Sequence, residues 1–449
     1  MKRIIFTGIA TIMLCCNIYA QDNRKLWTLE ECIRYAVDNN INLKQREQEE
    51  ELRKVELKMS QSSWMPNMNA SLGQNIDFGR TPSREGTIVD RNSASSSLNM
   101  QMSVPLFNGF KIANDIAVRK MNLMAATESL NKAREDLALN VASYYLQALY
   151  SKELLNIAEL QVNLVKEQVI RTEALLDAGR VAAVQLYLIT AQLSNDEVIL
   201  TEAQNNVSMA LLDLAQILEL ERLGTDFDIV QPETQNAMTD NMRSIIAPDD
   251  IYYNAVNFKP QIKEQEFLLE SSKKRLRIAQ ADYYPRLSFN ANYGNGYYRY
   301  FGDNDVTSVP FSDQLKQNER KTISVSLNIP IFNRFAYRNN VRQANIGIIN
   351  QSLNIENSKK ALYKEIQQAY FMATAAQAKY FASEKSVAAN EEALGYAEES
   401  YAAGKSSVFE YNESKTKYAQ SLSEQAQAKY SFIFRAKILD FYNGLEIRL

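Results

Sequence analysis

The residue types that perform most protein chemistry are scarce in this chain. Its 449 residues include no histidine, which removes the usual general base at neutral pH and the commonest transition-metal ligand. The sequence also contains no glycine-rich phosphate-binding loop. We therefore expect no catalytic residues, no cofactor and no metal site, and the composition argues against an enzyme.

The amino terminus has the pattern of a secretory signal peptide. Lys2 and Arg3 precede an apolar run, and Ala20 supplies a small residue for cleavage, so we expect residues 1–20 to be a leader. Cys32 would then be the single cysteine of the exported protein, with no internal disulfide possible. The formal net charge of −3 gives no reason to expect a nucleic-acid partner.

Two copies of one structural unit make up the rest of the sequence. The segment 104–110 (VPLFNGF) returns as 329–335 (IPIFNRF), an offset of 225, and the triplet at 178–180 returns at the same offset as 403–405. Upstream the offset is 219, because the segment 64–66 (WMP) corresponds to 283–285 (YYP) in the second copy. A repeat this long predicts a pseudo-symmetric body rather than a solenoid. The strand-to-helix junctions are marked in both copies by Pro105, Phe107, Pro330 and Phe332.

Period-two alternation predicts two strands in each copy. Apolar side chains occupy every second position before each junction, and again after Pro66 and Pro285. This pattern indicates hairpins at about 66–104 and about 285–329. Strands with one apolar face and one polar face are typical of a membrane β-barrel. An ordinary amphipathic sheet over a soluble core remains the alternative at this point. The apolar positions are Met68, Ala70, Leu72, Leu98, Met100, Met102 and Val104, then Leu287, Phe289, Ala291, Ile323, Val325, Leu327 and Ile329.

Very long helices follow each hairpin. Neither glycine nor proline occurs between Gly109 and Gly179, or between Gly179 and Gly224. Buried positions are expected every three or four residues along the first of these helices, as in a coiled coil. The predicted seam is Leu137, Val141, Tyr144, Ala148, Ser151, Leu155, Ala158, Val162, Val165, Val169, Thr172 and Leu176, and the same spacing recurs in the second copy, from Leu362 to Tyr401, with more small side chains.

Shorter helices precede each hairpin. Thr28 with Glu31 forms a capping-box pattern that opens a helix toward Asn39, and Pro248 starts its counterpart. We predict a signal peptide over 1–20, a first repeat over 21–230, a connector over 231–246 and a second repeat over 247–449, with long helical hairpins at about 111–223 and about 336–443.

Closure of the sheet constrains the assembly. Four strands cannot form a barrel, because edges facing lipid would leave backbone groups unpaired. Three copies would supply twelve strands around a common axis. The fold class that we expect is mixed: a trimeric 12-stranded outer-membrane β-barrel, four strands per chain, continued by a long α-helical coiled-coil barrel.

At this level of detail the chain closely resembles the TolC-like outer-membrane efflux family, over essentially all of the sequence after the leader. The resemblance rests on the order, spacing and repetition of the junction and turn motifs. It implies a homotrimer in the outer membrane of a Gram-negative bacterium, with the helical barrel in the periplasm. The partners that it implies are outer-membrane lipid, a periplasmic adaptor (membrane fusion) protein and an inner-membrane pump of RND, MFS or ABC type, acting in efflux or type I secretion.

The resemblance also implies a periplasmic gate at Glu410 and Glu413, because the family carries two acidic residues on the helix after the second glycine turn. They are three residues apart and share a helix face. In a trimer six carboxylates would converge and attract cations. The alternative is a pair of solvated surface glutamates. The first copy departs from the pattern, with Gln185 and Leu188 at the matching positions.

The helical turns at Gly179, Arg180, Gly404 and Lys405 are candidate adaptor contacts on the same resemblance. Each glycine also has a local role, since reversing the chain between helices needs a positive φ. We expect both roles for the glycines.

The resemblance implies an outer-membrane channel-tunnel that passively conducts substrates to the exterior, and two other classes of protein are alternatives to it. A trimeric structural or adhesive coiled coil would explain the heptads but needs no alternating strands. A soluble periplasmic adaptor would need more β-rich sequence outside its helical hairpin. The need for detergent extraction discriminates the first of these from a membrane channel.

Overall fold

A computed structural model describes residues 25–82, 86–90, 92–220, 227–231, 246–301 and 309–447. The expected leader and nearly all of the expected connector, residues 232–245, lie outside this described part. The chain divides into two compact units. One comprises residues 46–131 and 259–359 and is called the sheet unit; the other comprises residues up to 45, 132–258 and 360–449 and is called the helical unit.

The described part of the chain contains eight strands and nine helices. The strands are β1 (Lys25–Trp27), β2 (Asn67–Asp77), β3 (Arg80–Pro82), β4 (Ile88–Asp90), β5 (Asn92–Phe107), β6 (Phe227–Ile229), β7 (Arg286–Phe301) and β8 (Arg320–Asn328). The helices are α1 (Leu29–Asn39), α2 (Ile41–Ser62), α3 (Lys111–Asp177), α4 (Ala183–Ile217), α5 (Pro248–Phe258), α6 (Pro260–Ala281), α7 (Phe311–Gln317), α8 (Ala336–Ala402) and α9 (Val408–Tyr442).

Helix ends follow the chemistry of the sequence closely. Thr28 Oγ1 accepts a hydrogen bond from the Glu31 N–H at 3.2 Å, and the Glu31 carboxylate accepts one from the Thr28 N–H at 3.1 Å. This capping box opens α1 as predicted, and α5 begins at the predicted Pro248. The helices α3 and α8 each run for 67 residues, and Gly347 and Gly395 do not interrupt α8.

A four-stranded antiparallel sheet is the centre of the sheet unit. Its order is β2-β5-β7-β8, so the second strand of the first copy pairs with the first strand of the second copy. Leu72 lies opposite Leu98, and Phe289 lies opposite both Val104 and Val325. Among the described residues no strand pairs with the outer edge of β2 or of β8. Both outer edges of the sheet are therefore unpaired in the described part of the chain.

The two faces of this sheet differ in polarity, as the alternation predicted. One row across the four strands joins Asn69, Gln101, Asn292 and Thr322, all uncharged polar residues. The opposite face is mainly apolar, with Lys321 near the end of β8, and it is exposed: the side chain of Leu72 is 85% exposed. Apolar area left in water costs roughly 25 cal/mol per Å². The described part of the chain does not cover this face.

Strand β7 is longer than the alternation predicted, and α7 was not predicted. Beyond Gly294, where pairing with β8 ends, the backbone of β7 is met by side chains of the α7 segment. The Tyr298 N–H donates to the Gln314 amide oxygen at 2.9 Å, and the Gln314 amide N–H donates back to the Tyr298 carbonyl at 3.0 Å. Asn318 Nδ2 donates to the Gly296 carbonyl at 2.7 Å. A side-chain amide thus imitates the missing strand.

The strand-to-helix junctions of the two copies share a geometry but differ in burial. The rings of Phe107 and Phe110 meet edge to face at 5.4 Å, and those of Phe332 and Phe335 do so at 5.5 Å. Gly109 has φ +66° and is buried, and a Cβ there would lie 2.5 Å from the Ala281 carbonyl oxygen. The first junction therefore packs tightly on the end of α6.

The predicted seams of the long helices are largely buried in the helical unit. Val141, Val162 and Val165 of α3 are at most 2% exposed, and Leu362, Ile366 and Ala373 of α8 are equally buried. Among them, Val165 is buried together with Ile189 of the returning helix α4 and Val408 of the returning helix α9. The heptad prediction therefore holds for most positions.

Tyr144 is the exception in the first seam, because it is 40% exposed while Tyr145 is buried. The Tyr145 hydroxyl lies 2.8 Å from the Val230 carbonyl oxygen and 3.1 Å from that of Trp27. It serves a short parallel ribbon of β1 and β6. Burial raises the pKa of Tyr145. The ribbon is a two-stranded sheet separate from the expected four strands, and its contact with Tyr145 places that residue, instead of Tyr144, in the buried position.

A buried ion pair joins the two returning helices. Lys415 of α9 donates to Asp196 of α4 at 2.8 Å, and the two side chains are only 4% and 9% exposed. The Gln192 amide N–H donates to the other Asp196 oxygen at 2.8 Å. Asp196 lies seven residues after the buried Ile189, so a charge occupies a core position of the heptad.

Among the described residues, no helix is both long enough and apolar enough to cross a membrane.

Replacing Gly109 by alanine tests the first junction. We expect a cost of about 1–2 kcal/mol for the left-handed backbone, and about 1–3 kcal/mol more because the new methyl group contacts the end of α6. Gly404→Ala is the matched control, since Gly404 has φ +69° with nothing within 4 Å of a Cβ. Thermal unfolding followed by far-ultraviolet circular dichroism measures both. Equal losses in the two variants would contradict the tight contact at Gly109.

Replacing Lys415 by methionine tests the buried pair. We expect a loss of about 3–5 kcal/mol, because Asp196 would be left buried without its cation. The double variant Asp196→Leu with Lys415→Met should recover most of this loss. Lys417→Met, which breaks an exposed pair with Glu413 on the same helix, should cost less than about 1 kcal/mol. Chemical unfolding of the four proteins gives the comparison, and equal costs at positions 415 and 417 would refute it.

Candidate functional site

The two turns between the long helices are built alike. At the first, the Gly179 N–H donates to Leu176 at 2.8 Å and the Arg180 N–H to Leu175 at 2.9 Å. At the second, the N–H groups of Gly404 and Lys405 donate in the same pattern at 3.0 and 2.9 Å. This six-to-one hydrogen bond with a left-handed glycine is the Schellman motif. Carbonyl groups in the last turn of both α3 and α8 are therefore satisfied.

The glycines of these turns are required by their backbone conformation. Gly179 has φ +68° and Gly404 has φ +69°, and no atom lies within 4 Å of a Cβ built on either. The neighbouring Arg180 and Lys405 are exposed, and within the described part of the chain no ion pair is formed by either side chain. Each turn thus presents one exposed cationic side chain that forms no ion pair within the described part of the chain.

Glu410 takes part in the start of α9. The Ser407 hydroxyl accepts from the Glu410 N–H at 3.3 Å, and the Glu410 carboxylate accepts from the Ser407 N–H at 3.0 Å. This is a second capping box. Its carboxylate also lies where the helix dipole favours negative charge. Glu410 therefore caps the start of α9, a local structural role that was not predicted from its position after Gly404.

Glu413 is the second acidic residue of the predicted pair. It lies on the same face as Glu410, one turn further along α9, and accepts from Lys417 at 2.7 Å. Both side chains of this ion pair are more than half exposed, at 51% and 62%. Such a pair contributes little to stability. Its carboxylate remains accessible to ions in solution.

The matching positions of the first copy present a different surface. Gln185 and Leu188 occupy them, and Leu188 is 55% exposed. Val184 and Tyr187 beside them are exposed as well. The first turn is followed by an apolar helix face and the second by an acidic one. In the second copy only Phe409, exposed beside Glu410, adds a large apolar group at the corresponding place.

A small core lies beneath the turns. Val165, Ile189 and Val408 are buried together. The rings of Tyr401 and Tyr411 stack at 5.7 Å with an angle of 28°. Burial, reinforced by nearby Glu398, raises the pKa of Tyr411 to about 12. This phenol therefore stays neutral at physiological pH and acts as a packing group.

The junction residues lie in the sheet unit, and the acidic residues and the turns lie in the helical unit. A register irregularity in β5 falls between Pro105 and Phe107. In the second copy Phe332 is 73% exposed, and Pro330 comes before it in the same junction. Sequence reasoning missed the Asp196–Lys415 pair, although a charge at a heptad core position in each helix was a usable signal.

No cluster of three or more metal-ligating side chains is found among the described residues. What the tip of the helical unit offers is charge: exposed carboxylates on α9, and exposed cations at the turns. These groups can attract or repel ions and polar partners.

Comparisons with known proteins agree with this architecture. The sequence is 20% identical over 358 residues to the outer membrane protein TolC of Escherichia coli, covering 78% of this chain and 69% of that protein. It is 18% identical over 405 residues to the proteases secretion protein PrtF of Dickeya chrysanthemi, covering 89% and 84% of the two chains.

The fold is shared with solved outer membrane channels. The crystal structure of the CmeC outer membrane channel of Campylobacter jejuni superposes with a TM-score of 0.71 at 20% identity, covering 93% of this chain and 86% of that one. The sequence profile described as outer membrane efflux protein matches residues 32–219 and 251–439, one match in each copy. The chain therefore belongs to the outer membrane efflux protein family.

Proposed function

We propose that this chain is one subunit of a trimeric channel-tunnel that passes substrates passively outward across the outer membrane of a Gram-negative bacterium. The open sheet is the observation that carries the proposal. Its outer face is apolar and exposed, and neither β2 nor β8 has a partner at its outer edge among the described residues. In lipid such edges would leave backbone groups unsatisfied at a cost of several kcal/mol each.

Three copies resolve this problem. Twelve strands make a closed barrel with an even strand number, an apolar outside and a polar lumen. The uncharged row of Asn69, Gln101, Asn292 and Thr322 would line that lumen. Such a lining suits conduction with little preference for the charge of the cargo. Below the membrane, three pairs of helical hairpins would form the periplasmic barrel.

The tip of the helical hairpins is the end that would meet the rest of an export system. Gly179, Arg180, Gly404 and Lys405 form the two turns, with uncommitted cations at Arg180 and Lys405. We propose that these turns contact a periplasmic adaptor protein, which links the channel to an inner-membrane pump of RND, MFS or ABC type. Family membership favours this channel over a structural coiled coil without transport.

The acidic residues near the same end would form a constriction. In a trimer, three copies of Glu410 and three of Glu413 would face one axis, and their like charges would draw cations to the mouth. Both are exposed in the single chain. The local partners Ser407 and Lys417 hold the two carboxylates but leave them accessible.

The state of the purified protein tests the assembly. We expect it to need detergent for extraction and to have the mass of three chains in native mass spectrometry, because the apolar sheet face and the open edges require both lipid and partners. A stable, water-soluble monomer without affinity for lipid would contradict the proposal.

Single-channel recording tests the constriction. We expect small resting conductance that multivalent cations block from the periplasmic side. In Glu410→Gln with Glu413→Gln the block should weaken by about tenfold or more, since about 1.4 kcal/mol corresponds to tenfold and each exposed charge contributes about 1 kcal/mol near an ion at contact.

Glutamine is chosen because it preserves the capping box that Glu410 forms. Glu424→Gln, at a glutamate further along α9, is the matched control and should leave the block unchanged. Unaltered block in the double variant would remove Glu410 and Glu413 from the constriction.

A further inference from the structure

The charged residues of the sheet's apolar face lie at one end of it. Among the described residues that pair on this face, two are charged, Arg299 of β7 and Lys321 of β8. Lys321 lies opposite Tyr293, and Arg299 lies six residues beyond Tyr293 on the same face. This end points away from the strand ends that lead into α3 and α8. The end next to those helices has uncharged side chains at its paired positions, which are Met68, Ala70, Met102, Val104, Leu287, Phe289, Val325 and Leu327.

The position of the two cations along the strands places them in the outer part of the membrane. A cation on a lipid-facing strand is costly at the middle of a bilayer, and this cost almost disappears near the bilayer surface. By the proposed function, the apolar face contacts lipid and its end away from the helices lies in the outer leaflet. Arg299 and Lys321 therefore lie at the level of the outer headgroups, where they attract anionic lipids.

Neither cation is held by a buried partner. The guanidinium carbon of Arg299 lies 5.7 Å from the centroid of the Phe301 ring, and among the described residues no carboxylate pairs with this side chain. Lys321 Nζ lies 2.8 Å from a Glu319 oxygen, but the two side chains are 70% and 40% exposed. Because an exposed pair of this kind contributes little to stability, a phosphate can replace Glu319 beside Lys321 at small cost.

Aromatic rings accompany the two cations on this face. Tyr293 and Tyr297 lie in the same row of β7 as Arg299. The helix α7 adds Phe311, whose ring meets that of Tyr297 edge to face at 5.1 Å and stays 57% exposed. The buried Gln314 amide fixes α7 in this place through its hydrogen bonds to β7. Exposed rings in such a row are typical of the membrane interface, where they contact headgroups and the adjoining acyl chains.

We infer that this end of the apolar face binds the phosphorylated saccharide headgroup of an outer-leaflet lipopolysaccharide. The inference rests on the proposed function and names a lipid that the channel holds. Arg299 and Lys321 donate hydrogen bonds to phosphate oxygens, a task for which the planar guanidinium of arginine is well suited. The rings of Tyr297 and Phe311 contact the sugar units and acyl chains beside these phosphates.

The distance between the two cations favours this glycolipid over a phospholipid. A strand rises about 3.3 Å per residue, so the levels of Lys321 and Arg299 differ by roughly 20 Å along β7. With a strand tilt of about 35–45°, this difference is roughly 15 Å along the membrane normal. An ordinary headgroup layer is about 5–8 Å deep on each side of the bilayer. A headgroup of several sugar units with phosphates at more than one depth reaches both cations, whereas a single phospholipid headgroup does not.

Native mass spectrometry of the full-length protein in detergent tests the site. After delipidation, the protein is titrated with a rough-type lipopolysaccharide whose inner-core sugars carry phosphates, with the same lipopolysaccharide after removal of its phosphates, and with phosphatidylglycerol. We expect the phosphorylated lipopolysaccharide to bind at least about tenfold more tightly than either of the others, because it alone offers anions at both depths.

Glutamine substitutions assign the binding to the two cations. Arg299→Gln and Lys321→Gln should each weaken binding of the phosphorylated lipopolysaccharide about fivefold, as expected for one cation at a charged lipid surface, and the double variant about 25-fold. Arg320→Gln is the matched control, because Arg320 lies next to Lys321 on the opposite face of β8 and should change the affinity less than about twofold. Since all three side chains are exposed, thermal unfolding without lipid should be the same for every variant.

Several results would overturn the inference: equal affinity for phosphatidylglycerol, affinity that survives removal of the phosphates, unchanged affinity in the double variant, or equal losses at positions 320 and 321. Any of these results in a protein that still forms a conducting trimer would leave the proposed function standing. A water-soluble monomer that binds no lipid would overturn both.

Discussion

The backbone groups left unpaired at the two outer edges of the four-stranded sheet, in the described part of the chain, constrain how the rest of the structure is organised. Strands β2 and β8 each have peptide groups directed away from the sheet, and one sheet face is apolar and uncovered. Neither feature is stable alone in water, and open edges are not tolerated in lipid. The proposed trimer satisfies both demands with the same contact, since pairing the edges also closes the apolar face into a continuous band.

The long helices must also be aligned along one another in a single register. Heptad packing of small and branched residues supplies the attraction along α3 and α8 but would tolerate shifts by one heptad. Two features fix the position. The Schellman turns end both long helices in the same way, and the Asp196–Lys415 pair permits only one alignment of α4 and α9 without leaving a buried charge.

Much of this architecture could be predicted because it is coded locally. Capping boxes, prolines and glycines determine helix ends through a few neighbouring residues, so the starts of α1 and α5 follow from the sequence. Period-two alternation likewise gives the strands that separate an apolar from a polar face. Features that depend on distant partners could not be predicted in this way. Tyr145 is buried in place of Tyr144 because β1 and β6 form a ribbon of very short strands, in which no periodic pattern can develop. The continuation of β7 and the helix α7 depend on amide contacts between segments that are distant along the chain. The partners of Glu410 and Glu413 were local, yet their role in a pore depends on other chains.

The side-chain amides of Gln314 and Asn318 that bind β7 have a consequence for how this chain can pair with other strands. Gln314 occupies the backbone groups of Tyr298 that would otherwise accept a foreign strand. That stretch is thereby protected against pairing with a foreign strand, whereas the outer edges of β2 and β8 have no strand partner among the described residues. A further strand could therefore join the sheet at the outer edge of β2 or of β8, but not along the part of β7 that Gln314 occupies.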